Sequence, residues 1–232
     1  MPRFEFLHNG RERVAIPAVP RLAITLVALE RSSLSRAELA AHLWPEVPER
    51  QRARRLRTLL WRINRLLPDT PVLKVSEGHV ILVEQSEDID LHAAWDLAQA
   101  LVRQAISKQE VLNSPPERWA PLKSIVLDGE SDEQSFSVQQ EWNHLRLLAL
   151  DSLSQMLLAG ERILLAIEMA ESAIKVDPLS ESPYRTITSA FIHRSDNATA
   201  WRVYQDYSKF VEAELGLMPS FEYQDIVSRM KA

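Results

Sequence analysis

Seven arginines lie between positions 50 and 65: Arg50, Arg52, Arg54, Arg55, Arg57, Arg62 and Arg65. Glu49 is the one acid beside them. A guanidinium is a permanent cation with a planar fork of N–H donors, matched to a phosphate or to the O6 and N7 edge of guanine. The chemistry on offer is recognition of a polyanion. Placed on a helix, Ala53, Leu56, Leu60, Ile63 and Leu67 form one apolar stripe that must face a core. The opposite face then holds Gln51, Arg54, Thr58, Trp61, Arg62 and Arg65, with Arg50, Arg55 and Arg57 on its flanks. Arg52 lies nearer the apolar edge and is expected to pack along the domain or reach a phosphate.

A DNA major groove admits one helix with such an outer face. Recognition helices read bases with their N-terminal part, so Arg50, Gln51, Arg54, Arg55 and Thr58 are expected to lie deepest. Arg62 and Arg65 are then placed for phosphates, and Trp61 to stack on the backbone or pack against a neighbouring hairpin. A basic helix face that is merely solvated, or that pairs with acids elsewhere in the chain, is the competing reading of the same residues.

The surrounding elements favour DNA. Phe4, Phe6, His8-Asn9-Gly10, Val14 and Ile16 read as a hairpin with a tight Asn-Gly turn. A first helix is expected over roughly 20–30. Ser35 and Glu38 form a capping box that starts a second, which ends near Trp44-Pro45. After Glu46-Val47-Pro48 comes the arginine helix, about 49–67, stopped by Pro68 and Pro71. Val72, Leu73, Val75, then Ser76-Glu77-Gly78-His79, then Val80 to Val83 read as a second hairpin. A helix-turn-helix followed by a hairpin is the winged-helix plan, in which Lys74, Ser76 and His79 would touch the minor groove or flanking phosphates. A plain structural ribbon is the alternative for that hairpin.

Charge divides the chain at the same place. Residues 1–83 carry 14 Lys/Arg against 8 Asp/Glu, whereas residues 84–232 carry 13 against 24. A basic front is therefore followed by an acidic half with another task, and the net charge of −5 does not oppose DNA binding because the local field decides. The acidic run Glu84, Glu87, Asp88, Asp90 marks the expected boundary, giving domains 1–87 and 88–232. From 91 onward the pattern is helical, near 91–112, 137–158, 161–176, 180–193, 196–215 and 219–231. Residues 113–136 read mostly as loop. Ala166 and Ala200 stand 34 residues apart, each early in a helix, which is the tetratricopeptide period. Trp95, Trp119, Trp142, Tyr184, Trp201, Tyr204 and Tyr207 lie at helical spacings and are expected mainly in a core, a concave peptide-binding face being the functional alternative.

Other chemistry finds little support. The absence of cysteine removes disulfides, thiolate metal sites and thiol nucleophiles, and fits the cytoplasm. Neither a signal-peptide pattern nor an apolar run long enough to span a bilayer is present, so no membrane is expected. His8, His42, His79, His92, His144 and His193 show no ligand spacing, and the five glycines form no phosphate loop. Asp128, Glu130, Asp132 and Glu133 read as a solvated acidic loop. No enzyme, metal or cofactor is expected.

Residues 35–67, with Leu39-Ala40, Leu43-Trp44-Pro45 and the arginine helix through Arg65-Leu66, resemble the DNA-binding domain of the SARP-type transcriptional activators. The second half resembles their bacterial transcriptional activator domain through Gln140-Glu141-Trp142, Ala170-Glu171 with Ala173, Asp177-Pro178-Leu179, and Glu214-Leu215-Gly216 with Pro219-Ser220. The hairpin departs from the family, with His79 where a tyrosine is usual. The resemblance implies a mainly α protein, an OmpR-type winged helix-turn-helix followed by an all-α tetratricopeptide-like domain. It also implies binding to repeats in double-stranded promoter DNA and recruitment of RNA polymerase. No P-loop ATPase, receiver or phosphopeptide-reading segment is legible, as in the minimal two-domain members. A homodimer is open, and so are a repressor and a tetratricopeptide-type protein-interaction module as alternatives.

Overall fold

The computed structural model describes residues 6–8, 12–30, 33–66, 72–83, 90–123 and 133–229. The Asn9-Gly10 turn, Leu67, Pro68, Pro71, the acidic residues Glu84, Glu87 and Asp88, and the loop with Asp128, Glu130 and Asp132 lie outside them. The chain divides into two compact units, Met1–Ala93 with Ile125–Gln140, and Ala94–Ser124 with Glu141–Ala232.

In the first unit β1 (Phe6–His8) and β2 (Glu12–Val14) pair antiparallel, with Phe6 opposite Val14. Helix α1 (Ala18–Leu29) begins after Pro17, and Pro20 sits in its first turn, where a missing N–H costs nothing. Its Ala23, Ile24, Leu26 and Val27 are buried. Helix α2 (Arg36–Leu43) starts with the expected capping box. The Ser35 hydroxyl accepts from the Glu38 amide at 3.2 Å, and the Glu38 carboxylate accepts from the Ser35 amide at 3.1 Å. These Ser35 hydrogen bonds hold the Glu38 carboxyl below the usual range. Helix α3 (Glu49–Leu66) follows the turn at Pro48.

The second hairpin joins β4 (Leu73–Ser76) to β5 (His79–Leu82) through Glu77-Gly78, whose φ angles of 49° and 84° are those of a type I′ turn. Glycine suits the second of these positions because it carries no Cβ penalty at positive φ. A two-residue strand β3 (Leu34–Ser35) adds to β5, giving the order β3-β5-β4, and the Arg36 amide donates to the Gly78 carbonyl at 3.1 Å. The hairpin tip is thus tied to the start of α2. Leu26, Leu39, Leu56, Ile63, Leu73 and Val80 meet in one core. Burial of each large aliphatic side chain contributes about 1.5–3 kcal/mol. At the far end of this unit the buried His92 ring donates from Nε2 to the Ala28 carbonyl at 2.6 Å.

The second unit is helical. The single helix expected over 91–112 is two, α4 (Asp90–Val102) and α5 (Lys108–Asn113). Gln104 takes φ 56°, and the Ser107 hydroxyl caps a new start by accepting from the Glu110 amide. A 3-10 helix occupies Pro116–Lys123 within the stretch read mostly as loop. Then come α6 (Glu133–Ala159), α7 (Ile163–Val176), α8 (Glu181–His193), α9 (Asn197–Leu215) and α10 (Phe221–Ser228). Ala166 and Ala200 are each the fourth residue of their helix and fully buried, as the 34-residue spacing implied. Trp119, Trp142 and Tyr207 are core residues, and Trp95 lies 5.7 Å from Trp142 ring to ring. Tyr184, Trp201 and Tyr204 pack half-buried against Tyr207 and Tyr223.

Candidate nucleic-acid interface

Helix α3 buries Leu56, Leu59, Leu60 and Ile63. The arc is centred between Leu59 and Leu60, which corrects the expectation for Ala53 and meets the one that Arg52 packs along the domain. Ala53, expected in the stripe, sits at the edge of the arc and is exposed. Arg52 sits inside the arc, half-buried, and its guanidinium donates to the carbonyls of Val47 and Pro45. One arginine of the seven is therefore spent on the turn that joins α2 to α3, and it fixes where α3 begins. Leu59, not placed in the stripe from sequence, is buried at the edge of the arc opposite Ala53.

The remaining candidates are all exposed: Arg50, Gln51, Arg54, Arg55, Arg57, Thr58, Trp61, Arg62 and Arg65 on α3, Lys74 on β4 and His79 on β5. Arg54, Thr58, Trp61 and Arg65 run along the ridge farthest from the core, at spacings of three and four residues. The Thr58 hydroxyl donates to the Arg54 carbonyl at 3.2 Å. Arg65 lies over the Trp61 ring at 5.2 Å, a cation–π contact of about 0.5–1 kcal/mol for an exposed pair. That contact holds an exposed tryptophan, 59 % accessible, against its own helix. No outward arginine of α3 has a carboxylate partner among the described residues. On the hairpin, the His79 ring nitrogen Nδ1 lies 3.2 Å from the Glu77 carbonyl.

One feature of this face was not legible in the sequence. A groove of about 940 Å³ runs between the start of α1 and the outer side of α3, walled by Pro17, Val19, Leu59, Trp61 and Leu66 and rimmed by Arg54, Arg55, Arg62 and Arg65. Val19 belongs to the first turn of α1, which was expected to begin two residues later, near 20. Among the described residues no cluster of three His, Asp or Glu is placed to hold a metal ion, and no helix is long and apolar enough to cross a membrane.

The fold and this face define a class: a winged helix with an arginine-faced third helix, followed by paired helices. Residues 125–230 match the family model described as the bacterial transcriptional activator domain. The fold is shared with EmbR of Mycobacterium tuberculosis, solved in complex with a low-affinity phosphopeptide. The TM-score is 0.74 at 16 % identity, over 96 % of this chain and 61 % of that one, so the chain spans about three fifths of that protein's length. No curated protein matches the sequence. The matched domain is the one that the sequence of the second half resembles, and the fold over nearly the whole chain is that of EmbR.

Proposed function

We propose that the protein is a cytoplasmic, sequence-specific DNA-binding regulator that activates transcription. Helix α3 enters the major groove, with Arg50, Gln51, Arg54, Arg55 and Thr58 toward base edges and Arg57, Trp61, Arg62 and Arg65 toward the backbone. Lys74 and His79 on the hairpin reach flanking phosphates. The observation that carries this reading is the ridge of α3, whose outward arginines lack acidic partners among the described residues while the one inward arginine is used within the fold. Unneutralised cations clustered on one helix supply both affinity for phosphate and the donors that read guanine.

The matched activator domain supports a role for the second half in contacting RNA polymerase. The acidic balance of residues 84–232 makes a protein partner there more apt than a second DNA surface. We place the boundary between DNA-reading and activating parts at 87/88, and the operator as repeated half-sites in promoter DNA. The phosphopeptide in the EmbR structure belongs to that protein.

Selection of bound sequences from a random duplex pool tests the reading, using wild type and an Arg54→Ala, Arg55→Ala double variant. An enriched motif with repeated half-sites, lost in the variant, is the expected result. Absence of enrichment at moderate salt would refute sequence-specific binding and leave the protein-interaction module.

A further inference from the structure

The groove beside α3 shares Arg54, Arg55, Trp61, Arg62 and Arg65 with the proposed DNA face, so whatever else fills it does so in the absence of DNA. Its floor is apolar, and three of its large side chains stand open to solvent: Val19 at 43 %, Trp61 at 59 % and Leu66 at 41 %. DNA would engage its arginine rim and Trp61, but would leave the apolar Val19 and Leu66 without a complementary partner. A polypeptide with apolar side chains and acidic flanks has the complementary chemistry.

The second unit carries such a segment. At the corner between α9 and α10, Leu215, Leu217, Met218 and Phe221 are 50 %, 57 %, 62 % and 85 % exposed. Glu212 and Glu214, both exposed, stand beside them on α9. The corner is firmly built despite its exposure. Gly216 closes α9 in the left-handed region at φ 66°, where glycine is favoured. Pro219 is buried, and the Ser220 hydroxyl caps α10 by accepting from the Tyr223 amide. The Glu181 carboxylate grips that cap, accepting from the Ser220 amide at 2.7 Å and from its hydroxyl. Arg185 pairs with Glu222 across the same junction. A fixed corner presents its apolar side chains with little ordering cost on contact.

We infer that the groove of one molecule receives the α9–α10 corner of a second copy, in a heterologous, head-to-tail contact. Charge decides the pairing. Corner against corner would set Glu212 and Glu214 against their own copies, and groove against groove would do the same with Arg54, Arg55, Arg62 and Arg65. Like charges facing each other are disfavoured, whereas groove against corner sets arginines against glutamates around an apolar centre. Each molecule keeps one free groove and one free corner, so the contact propagates unless the ring closes.

Sedimentation velocity in the absence of DNA tests this, with the full chain over a range of concentration. The variants are Val19→Glu in the groove, with Leu66→Glu as its second form, and Met218→Asp in the corner. Wild type is expected to grow in mass with concentration. Each variant alone stays monomeric, its association weakened at least about tenfold, as for a residue central to an interface. An equimolar mixture of a groove variant and the corner variant forms a dimer and nothing larger, because one intact groove and one intact corner remain. That dimer also shows both variants to be folded. A wild type that stays monomeric, a single variant that associates like wild type, or a mixture that fails to pair would each overturn the proposal. With no DNA present, the outcome is separate from the fate of the DNA-reading proposal.

Discussion

If α3 lies in a major groove, its two halves must fail differently when mutated. The helix has 18 residues, about 27 Å at 1.5 Å per residue. The groove is about 12 Å wide, room for roughly eight residues between phosphate ridges. Arg54 falls within the N-terminal stretch that fits, while Arg62 and Arg65 lie two and three turns further on, over the flanking backbone. Arg54→Ala should then remove a bidentate base contact worth about 1–3 kcal/mol, roughly 5- to 150-fold in affinity for the selected duplex, with little effect on random DNA. The Arg62→Ala, Arg65→Ala double variant should weaken both duplexes alike. It should also flatten the log–log salt dependence by about 1.8, since each phosphate neutralised contributes about 0.9 to the slope. Fluorescence anisotropy on both duplexes across a salt series reads all of these quantities. Equal loss on the two duplexes from Arg54→Ala, with a flattened slope, would refute the placement of the N-terminal half in the groove.

Three further outcomes follow from the packing. Ser35→Ala removes the α2 cap and should cost about 1 kcal/mol in denaturant unfolding. In an NMR titration it should also raise the Glu38 carboxyl, whose depressed value gives stability at neutral pH that is lost as pH falls through it. Tyr223→Phe leaves the buried Thr188 hydroxyl without its 2.8 Å partner and should cost about 1–3 kcal/mol, whereas adding Thr188→Val should recover part of the loss; additive costs would show the two groups to be uncoupled. Burial pushes the Tyr207 phenol up to about 12 and raises Tyr223 as well. Folded phenols above the usual value near 10 stabilise the native state below that pH, and the contribution is lost as pH rises toward 12. Phenolate absorbance should therefore lag in the folded protein and rise with unfolding, and a simple titration near 10 for every tyrosine would contradict this packing.

What could be read in advance was local. The Ser35/Glu38 pair announced the start of α2, because a capping box is complete within four residues. The apolar stripe oriented α3, and the 34-residue step from Ala166 to Ala200 placed two helices of the second half. What could not be read depends on partners far along the chain. Strand β3 exists only because β5 lies beside Leu34 and Ser35. Leu59 was legible, since Leu56, Leu59, Leu60 and Ile63 stand at i, i+3, i+4 and i+7, whereas the exposure of Ala53 depends on the angle at which α3 meets the core. Arg52, by contrast, was expected along the domain, and its partners, the carbonyls of Val47 and Pro45, stand only five and seven residues away. The groove needed the position of α1 as well as α3. The motif Glu214-Leu215-Gly216 through Pro219-Ser220 was visible as a pattern, but the exposure of Phe221 and Met218 was not.

The hydrogen bond from His92 to the Ala28 carbonyl bears on how the half proposed to read DNA can be produced by itself. A fragment cut at the proposed 87/88 division would lack His92 and Leu91, both buried in the intact chain, and would open the surface they cover. Weak binding by such a fragment would then report a damaged α1 end rather than a missing activator domain. A piece carried past Ala93 keeps that imidazole in place and is the fairer vehicle for asking how much of promoter recognition the front half achieves unaided.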